Sequence, residues 1–260
     1  MTTVQAERDD RLERMLTAWS SAARVEGQLE GGYRNQLWAV RIGGRRYVAR
    51  LSPRPTSALD WEIQLLQHLR VADTAVPEVF TTRDGRSRVD GLVLFSWLEG
   101  HAPSSEHEWR LVADELARLH SLTRAWPQRP AFRSSLELLT EEQGGDVRLD
   151  LMPADVVQRV RLSWRALQGE PTSVVHGDPG AGNVRLQAGK VGFIDWDEAR
   201  VDVSLLDLAG LPLDLTPTLG RGRLIQARRA AVAWEVANGW VAEPLYARRR
   251  LAELDTASQP

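Results

Sequence analysis

A chain of 260 residues, 43% of them hydrophobic, is long enough to bury a sizeable core, as one large domain or two close-packed lobes. Its net charge of −2 lacks the basic excess that nucleic-acid binding normally needs, and with no cysteine it has no disulfide, thiolate zinc site or cysteine nucleophile. The start, MTTVQAERDDRLERML, is charged rather than apolar, and no apolar run is long enough to cross a bilayer, so the expectation is a cytoplasmic protein with neither nucleic-acid nor membrane partners.

Leu12, Met15, Leu16 and Trp19 recur at three- and four-residue steps and predict a helix over the first twenty or so residues. Gly31-Gly32 then reads as a turn, LWAVRI as a strand, Gly43-Gly44 as a hairpin turn and RYVARL as a second strand, closed by Pro53 and Pro55. Leu59, Ile63 and Leu66 share one face of a helix over 59–69. Strands are expected over 78–82, after Pro77, and over 91–95. The first hundred residues thus form a small, mostly β unit with one internal helix. Beyond Gly100 the pattern predicts helices near 106–121, 134–143 and 153–168. A short strand at Val174-Val175, the loop HGDPGAGN and the strands NVRL and KVGFID come next, and the remainder is helical. The favoured boundary lies at Ser96–Gly100.

The loop His176-Gly177-Asp178-Pro179-Gly180-Ala181-Gly182-Asn183 carries the chemistry. Glycines and proline after a buried strand force a tight, exposed turn. A short hairpin then returns Asp195 to the same end of the sheet. Asn183 and Asp195 can converge on one hard cation such as magnesium, which takes few protein oxygens and leaves room for water and phosphate. Asp178 is left to face a hydroxyl. Phosphoryl transfer needs such a set, because its loose transition state asks the protein to position groups and neutralise charge. The five-residue step from Asp178 to Asn183 is that of the catalytic loop of kinases.

The stretch VVHGDPGAGNVRL…GFIDWDEARVDVSLLDLAG resembles the signature of the aminoglycoside phosphotransferase and choline kinase family. The resemblance spans roughly residues 25 to 240. It implies an α+β, protein-kinase-like bilobal fold: a small β-rich N-lobe over 1–95, a hinge at 96–100 and a larger, mostly helical C-lobe over 101–260, with the nucleotide between the lobes. It implies Asp178 as catalytic base, Asn183 and Asp195 as Mg2+ ligands, and His176 and Asp207 as supports of the loop. GGYRNQLWAV is similar to the phosphate-covering hairpin, which places Gly31, Gly32 and Asn35 near nucleotide. Ser96 and Leu98, in LFSWLEG, correspond to the backbone that holds adenine. Arg50 stands where the family has a phosphate-contacting lysine, and Glu62 where the helix glutamate pairs with it. This is the main departure, since arginine keeps the charge but is planar, forked and bulkier. Lys190 is the only lysine in the chain.

Asp197, Glu198 and Asp202, together with Asp214, read either as a solvated acidic face or as an acceptor site that attracts a cation. The expected activity is transfer of the γ-phosphoryl group of ATP, with GTP as the alternative donor, to a hydroxyl of an antibiotic such as an aminoglycoside. The alternatives are a metabolic kinase for choline, ethanolamine, homoserine or a sugar, and a nucleotide-binding pseudokinase. The chain is expected to act as a monomer or homodimer.

Overall fold

Two adjacent glycines set the first hairpin. Gly43 and Gly44 have φ of 54° and 83°, the pair of positive angles that a two-residue turn matched to strand twist requires. In the computed structural model, which describes residues 11–29 and 34–256, this turn joins β2 (Gln36–Ile42) to β3 (Arg45–Leu51). The chain divides between Glu99 and Gly100 into two units.

The first unit begins with a helix, α1, over residues 11–16, followed by β1 (Arg24–Gln28). After β3 come α2 (Thr56–Val71), β4 (Val79–Phe80) and β5 (Leu92–Ser96). The strands form one antiparallel sheet in the order β1-β2-β3-β5-β4. Leu12, Leu16 and Trp19 close one core against Trp38, Val40, Ala49, Leu92 and Leu94. The Trp19 indole N–H donates to the Phe80 carbonyl at 2.7 Å, so this buried ring keeps its polar atom paired. β1 was not expected from sequence. Its residues RVEGQ are mostly exposed and a bulge breaks its register at Val25–Gly27, so it carries no period-two apolar signal.

In the second unit, α3 (Glu106–Leu122) opens with a capping box: the Ser105 hydroxyl accepts the Glu108 N–H, and the Glu108 carboxylate accepts the Ser105 N–H. Over 134–143 the expected helix is reduced to one 3-10 turn, Glu137–Leu139, followed by the two-residue strands β6 (Gln143–Gly144) and β7 (Val147–Arg148). The reason is local. Glu137 caps Ser134 at 2.7 Å, Ser135 is held by Asp202, and Gly145 takes φ of 60° in the hairpin turn.

Then come α4 (Ala154–Arg165), β8 (Thr172–Val175), β9 (Val184–Gln187), β10 (Lys190–Phe193), β11 (Arg200–Val203), α5 (Leu205–Ala209), α6 (Thr216–Leu219), α7 (Arg221–Gly239) and α8 (Pro244–Thr256). β9 pairs with β10, and β11, another strand not expected, pairs with β8. Ala227, Ala230, Ala233 and Ala237 give α7 a small-residue face, and Trp164 of α4 lies against it, its indole N–H donating to the Ala230 carbonyl. Among the described residues no helix is long and apolar enough to cross a membrane.

Candidate active site

β8 is buried from Ser173 to Val175 and delivers the chain to His176, itself fully buried. One carboxylate holds the start of the loop. Asp207, in α5, accepts the N–H of His176 at 2.8 Å, the N–H of Gly177 at 2.9 Å and the ring Nε2 of His120 at 2.9 Å. Burial pushes this carboxyl up, but the His120 hydrogen bond and charge, with the Gly177 N–H, outweigh it and hold Asp207 below its ordinary value.

His176 spends both ring nitrogens inside the loop. Its Nε2 donates to the Ile194 carbonyl at 2.9 Å, and its Nδ1 accepts the Asp178 N–H at 3.3 Å. That pattern selects the neutral Nε2–H tautomer. The ring packs against Trp196 and Phe193, with centroids 4.8 and 5.7 Å away. Gly177 has φ of 93°, and a side chain there would lie 2.9 Å from the Cβ and carbonyl oxygen of Glu198, so only glycine fits.

The turn brings Asp178 to the surface. Its Oδ2 accepts from the Asn183 side-chain amide at 2.8 Å, and its carbonyl accepts from the same amide at 3.0 Å. Asn183 therefore orients Asp178 through its nitrogen and keeps its amide oxygen for another partner. The Asn183 carbonyl accepts the Ile194 N–H at 2.9 Å, which fastens the residue before Asp195 to Asn183. Asp195 is exposed and takes φ of 60°, a left-handed turn that ends the β10 path. Aspartate tolerates this conformation better than most side chains.

Among the described residues no three His, Asp or Glu side chains gather into a metal cage. The donors at hand are the Asn183 amide oxygen and the Asp195 carboxylate. Two hard oxygens are what a magnesium ion brought in with phosphate needs from the protein, so these residues fit that group. Such an ion, held there, would supply positive charge to a phosphate group.

In the first unit, Arg50 of β3 reaches Glu62 of α2, Nη2 to Oε1 at 2.7 Å. The guanidinium lies over the Phe95 ring, 4.9 Å from its centroid. Asn35 is buried, and its Oδ1 accepts no hydrogen bond among the described residues. Gly31 and Gly32 lie outside the described residues. Ser96 is tied to Glu78, its N–H donating at 2.8 Å and its hydroxyl accepting at 2.9 Å, so its backbone donor is already committed to the sheet. Leu98 is partly buried.

The acids expected to form an acceptor site separate. Asp202 is wholly buried: it accepts from the N–H and hydroxyl of Ser135, from Arg200 and from the Val203 N–H. It is a structural anchor, not part of a solvated face. Asp197 is 4% exposed, and its carbonyl, with those of Trp196 and Ala199, accepts from the buried Arg129. Glu198 is partly buried and accepts from Asn238.

Sequence reasoning missed the opposite wall. A cavity of about 140 Å³ is lined by Asp178, Gly177, Arg200, Leu206, Trp234 and Glu235. Arg200 stacks on Trp234 with its guanidinium carbon 3.2 Å from the ring centroid. Residues 200 and 234 sit far apart in sequence, with nothing in their spacing to join them.

The model of the phosphotransferase enzyme family (APH) matches residues 27–251. No curated protein matches the sequence. Among solved structures, a thermostable mutant of aminoglycoside phosphotransferase APH(4)-Ia, in ternary complex with AMP-PNP and hygromycin B, is 18% identical. It aligns over 95% of this chain and 97% of its own, with a TM-score of 0.66. The microcompartment-associated aminopropanol kinase is 15% identical over 95% and 94%, with a TM-score of 0.62. A choline/ethanolamine kinase family protein from Mesorhizobium loti is 16% identical over 98% and 95%, with a TM-score of 0.61. The α+β, protein-kinase-like fold expected from sequence is the fold these structures share with this chain.

Proposed function

This chain belongs to the phosphotransferase enzyme family, and from that premise we propose that it moves the γ-phosphoryl group of ATP to a hydroxyl of a small, cationic acceptor, an antibiotic of the aminoglycoside kind being the leading class. The observation that carries the reading is Asp178: an exposed carboxylate, aimed by the Asn183 amide, at the edge of a cavity. Asp178 accepts the hydroxyl proton and orients the oxygen for attack. Asn183 and Asp195 are the residues that hold magnesium. Arg50, set by Glu62, steadies the phosphates. His176, with both ring nitrogens occupied, braces the loop and moves no proton.

The small volume of the cavity favours a second reading, a metabolic kinase for a small amino alcohol such as choline or ethanolamine. The relatives' names cover both classes: one is crystallised with hygromycin B, and others are named for aminopropanol and for choline and ethanolamine.

Turnover of ATP and of GTP against hygromycin B, amicoumacin, aminopropanol, choline, ethanolamine and homoserine tests the proposal, with Asp178→Asn as control. The expected result is acceptor-dependent turnover that the control abolishes. Nucleotide binding without turnover for any acceptor would point to a pseudokinase, and no nucleotide binding would overturn the proposal.

A further inference from the structure

Glu235 projects from α7 into the cavity that Asp178 borders. α8 holds its carboxylate from the other side. The Tyr246 hydroxyl donates to Oε2, Arg250 forms an ion pair with Oε2, and Arg250 Nη2 approaches Oε1 at 3.4 Å. Arg250 does not neutralise Glu235 alone, because it also pairs with Glu253. The Oε1 oxygen is thus lightly used, and a carboxylate oxygen has room for more than one donor. Asp178 forms no ion pair among the described residues; its carboxylate is held by an uncharged amide. Arg200, the cation on the cavity wall, is matched by the buried Asp202.

From these contacts we infer that Glu235 is the specificity residue of the acceptor pocket, binding an ammonium group carried within a few atoms of the hydroxyl that faces Asp178. The ligand chemistry is an amino alcohol unit, supplied either as a free small amino alcohol or as part of an amino sugar. Tyr246 and Arg250 are positioning residues that aim the Glu235 carboxylate. The surroundings of Tyr246 agree: burial first, then the Glu235 hydrogen bond and the charges of Glu235 and Asp178, push its hydroxyl well above the ordinary tyrosine range, against the lowering effect of Arg250. A cavity of about 140 Å³ has room for the amino alcohol unit itself. This inference rests on the kinase reading above.

The test compares each amine with its neutral counterpart: ethanolamine with ethylene glycol, and glucosamine with glucose. Phosphorylation is followed in the wild type, Glu235→Gln and Tyr246→Phe. A charge-assisted hydrogen bond of about 1.5–3 kcal/mol gives the amine about a tenfold to hundredfold advantage in kcat/KM for the pair that matches the source. In Glu235→Gln that advantage collapses through a raised KM for the amine, while the neutral partner keeps its KM. Tyr246→Phe shifts the same ratio in the same direction, which covers the case in which Glu235→Gln does not fold. A merely structural tie between α7 and α8 would move both members of a pair alike. An amine preference that survives both substitutions overturns the inference. So does turnover confined to acceptors without an amine, with the kinase reading left standing. If no acceptor is phosphorylated at all, the kinase reading fails and the inference falls with it.

Discussion

Arg50 and Glu62 meet at 2.7 Å with only 6% and 2% of their side chains exposed. One comes from the middle strand of a five-stranded sheet and the other from the buried face of α2. Glu62→Gln removes the carboxylate of a buried ion pair, which is expected to cost about 3–5 kcal/mol of stability. Urea unfolding at neutral pH measures it. Nucleotide affinity, followed by titration calorimetry, is expected to fall in the same variant because Arg50 loses its orientation.

Asp178 is exposed, and among the described residues its carboxylate is bonded only by the Asn183 amide, so its side chain is not one the fold depends on. Asp178→Asn is expected to lower kcat by about 10²–10⁴-fold, the usual worth of a general base, with stability unchanged to within about 0.5 kcal/mol. Steady-state kinetics and thermal unfolding on one preparation check both halves.

Asp207 makes the opposite case. Its carboxyl is held below the ordinary value in the folded chain, so its stabilisation is present above the unfolded value of about 3.9 and is lost as pH falls through the folded value. Asp207→Asn is expected to cost about 3–5 kcal/mol at neutral pH, since it strips a buried, multiply bonded carboxylate, and to flatten the acid limb of the stability curve. Denaturant midpoints at pH 7 and pH 3 distinguish the two proteins. An equal loss at both pH values would show that the carboxylate charge is not what holds the loop.

Gly177→Ala sets a methyl group 2.9 Å from Glu198 on a backbone with φ of 93°. The strain is expected to cost about 1–3 kcal/mol and to reduce kcat by displacing the next residue, Asp178. Calorimetric melting and kinetics measure the two effects, and a crystal structure of the variant would show where the loop moves.

Much of the site is legible in the chain because it is local. Asp178, Asn183 and Asp195 lie within eighteen positions, joined by one tight turn and one hairpin, and the sequence spells both. Asp207 was legible for the same reason, twelve residues further on. The wall of the cavity beside Asp178 was not. Asp202 looks like a surface acid until Ser135 and Arg200, one of them sixty-seven positions away, are seen to enclose it. Glu235 and Tyr246 meet only because α7 and α8 pack together, and no period records that partnership. The helix expected over 134–143 failed where Asp202, Glu137 and Gly145 impose other hydrogen bonds and angles on an apolar pattern. The edge strand β1 escaped because exposed strands need no alternation.

The exchange of lysine for arginine on β3 also has a chemical consequence. With Arg50 at that position and one lysine in the whole sequence, the chain offers a single side-chain amine, the exposed Lys190 at the turn between β9 and β10. Nucleotide-based acylating probes that label kinases through the strand lysine have no target in this protein. Besides the α-amine, an acylating reagent finds one side-chain target, on the hairpin that joins Asn183 to Asp195, so that a doubly labelled product is the most the native chain can give.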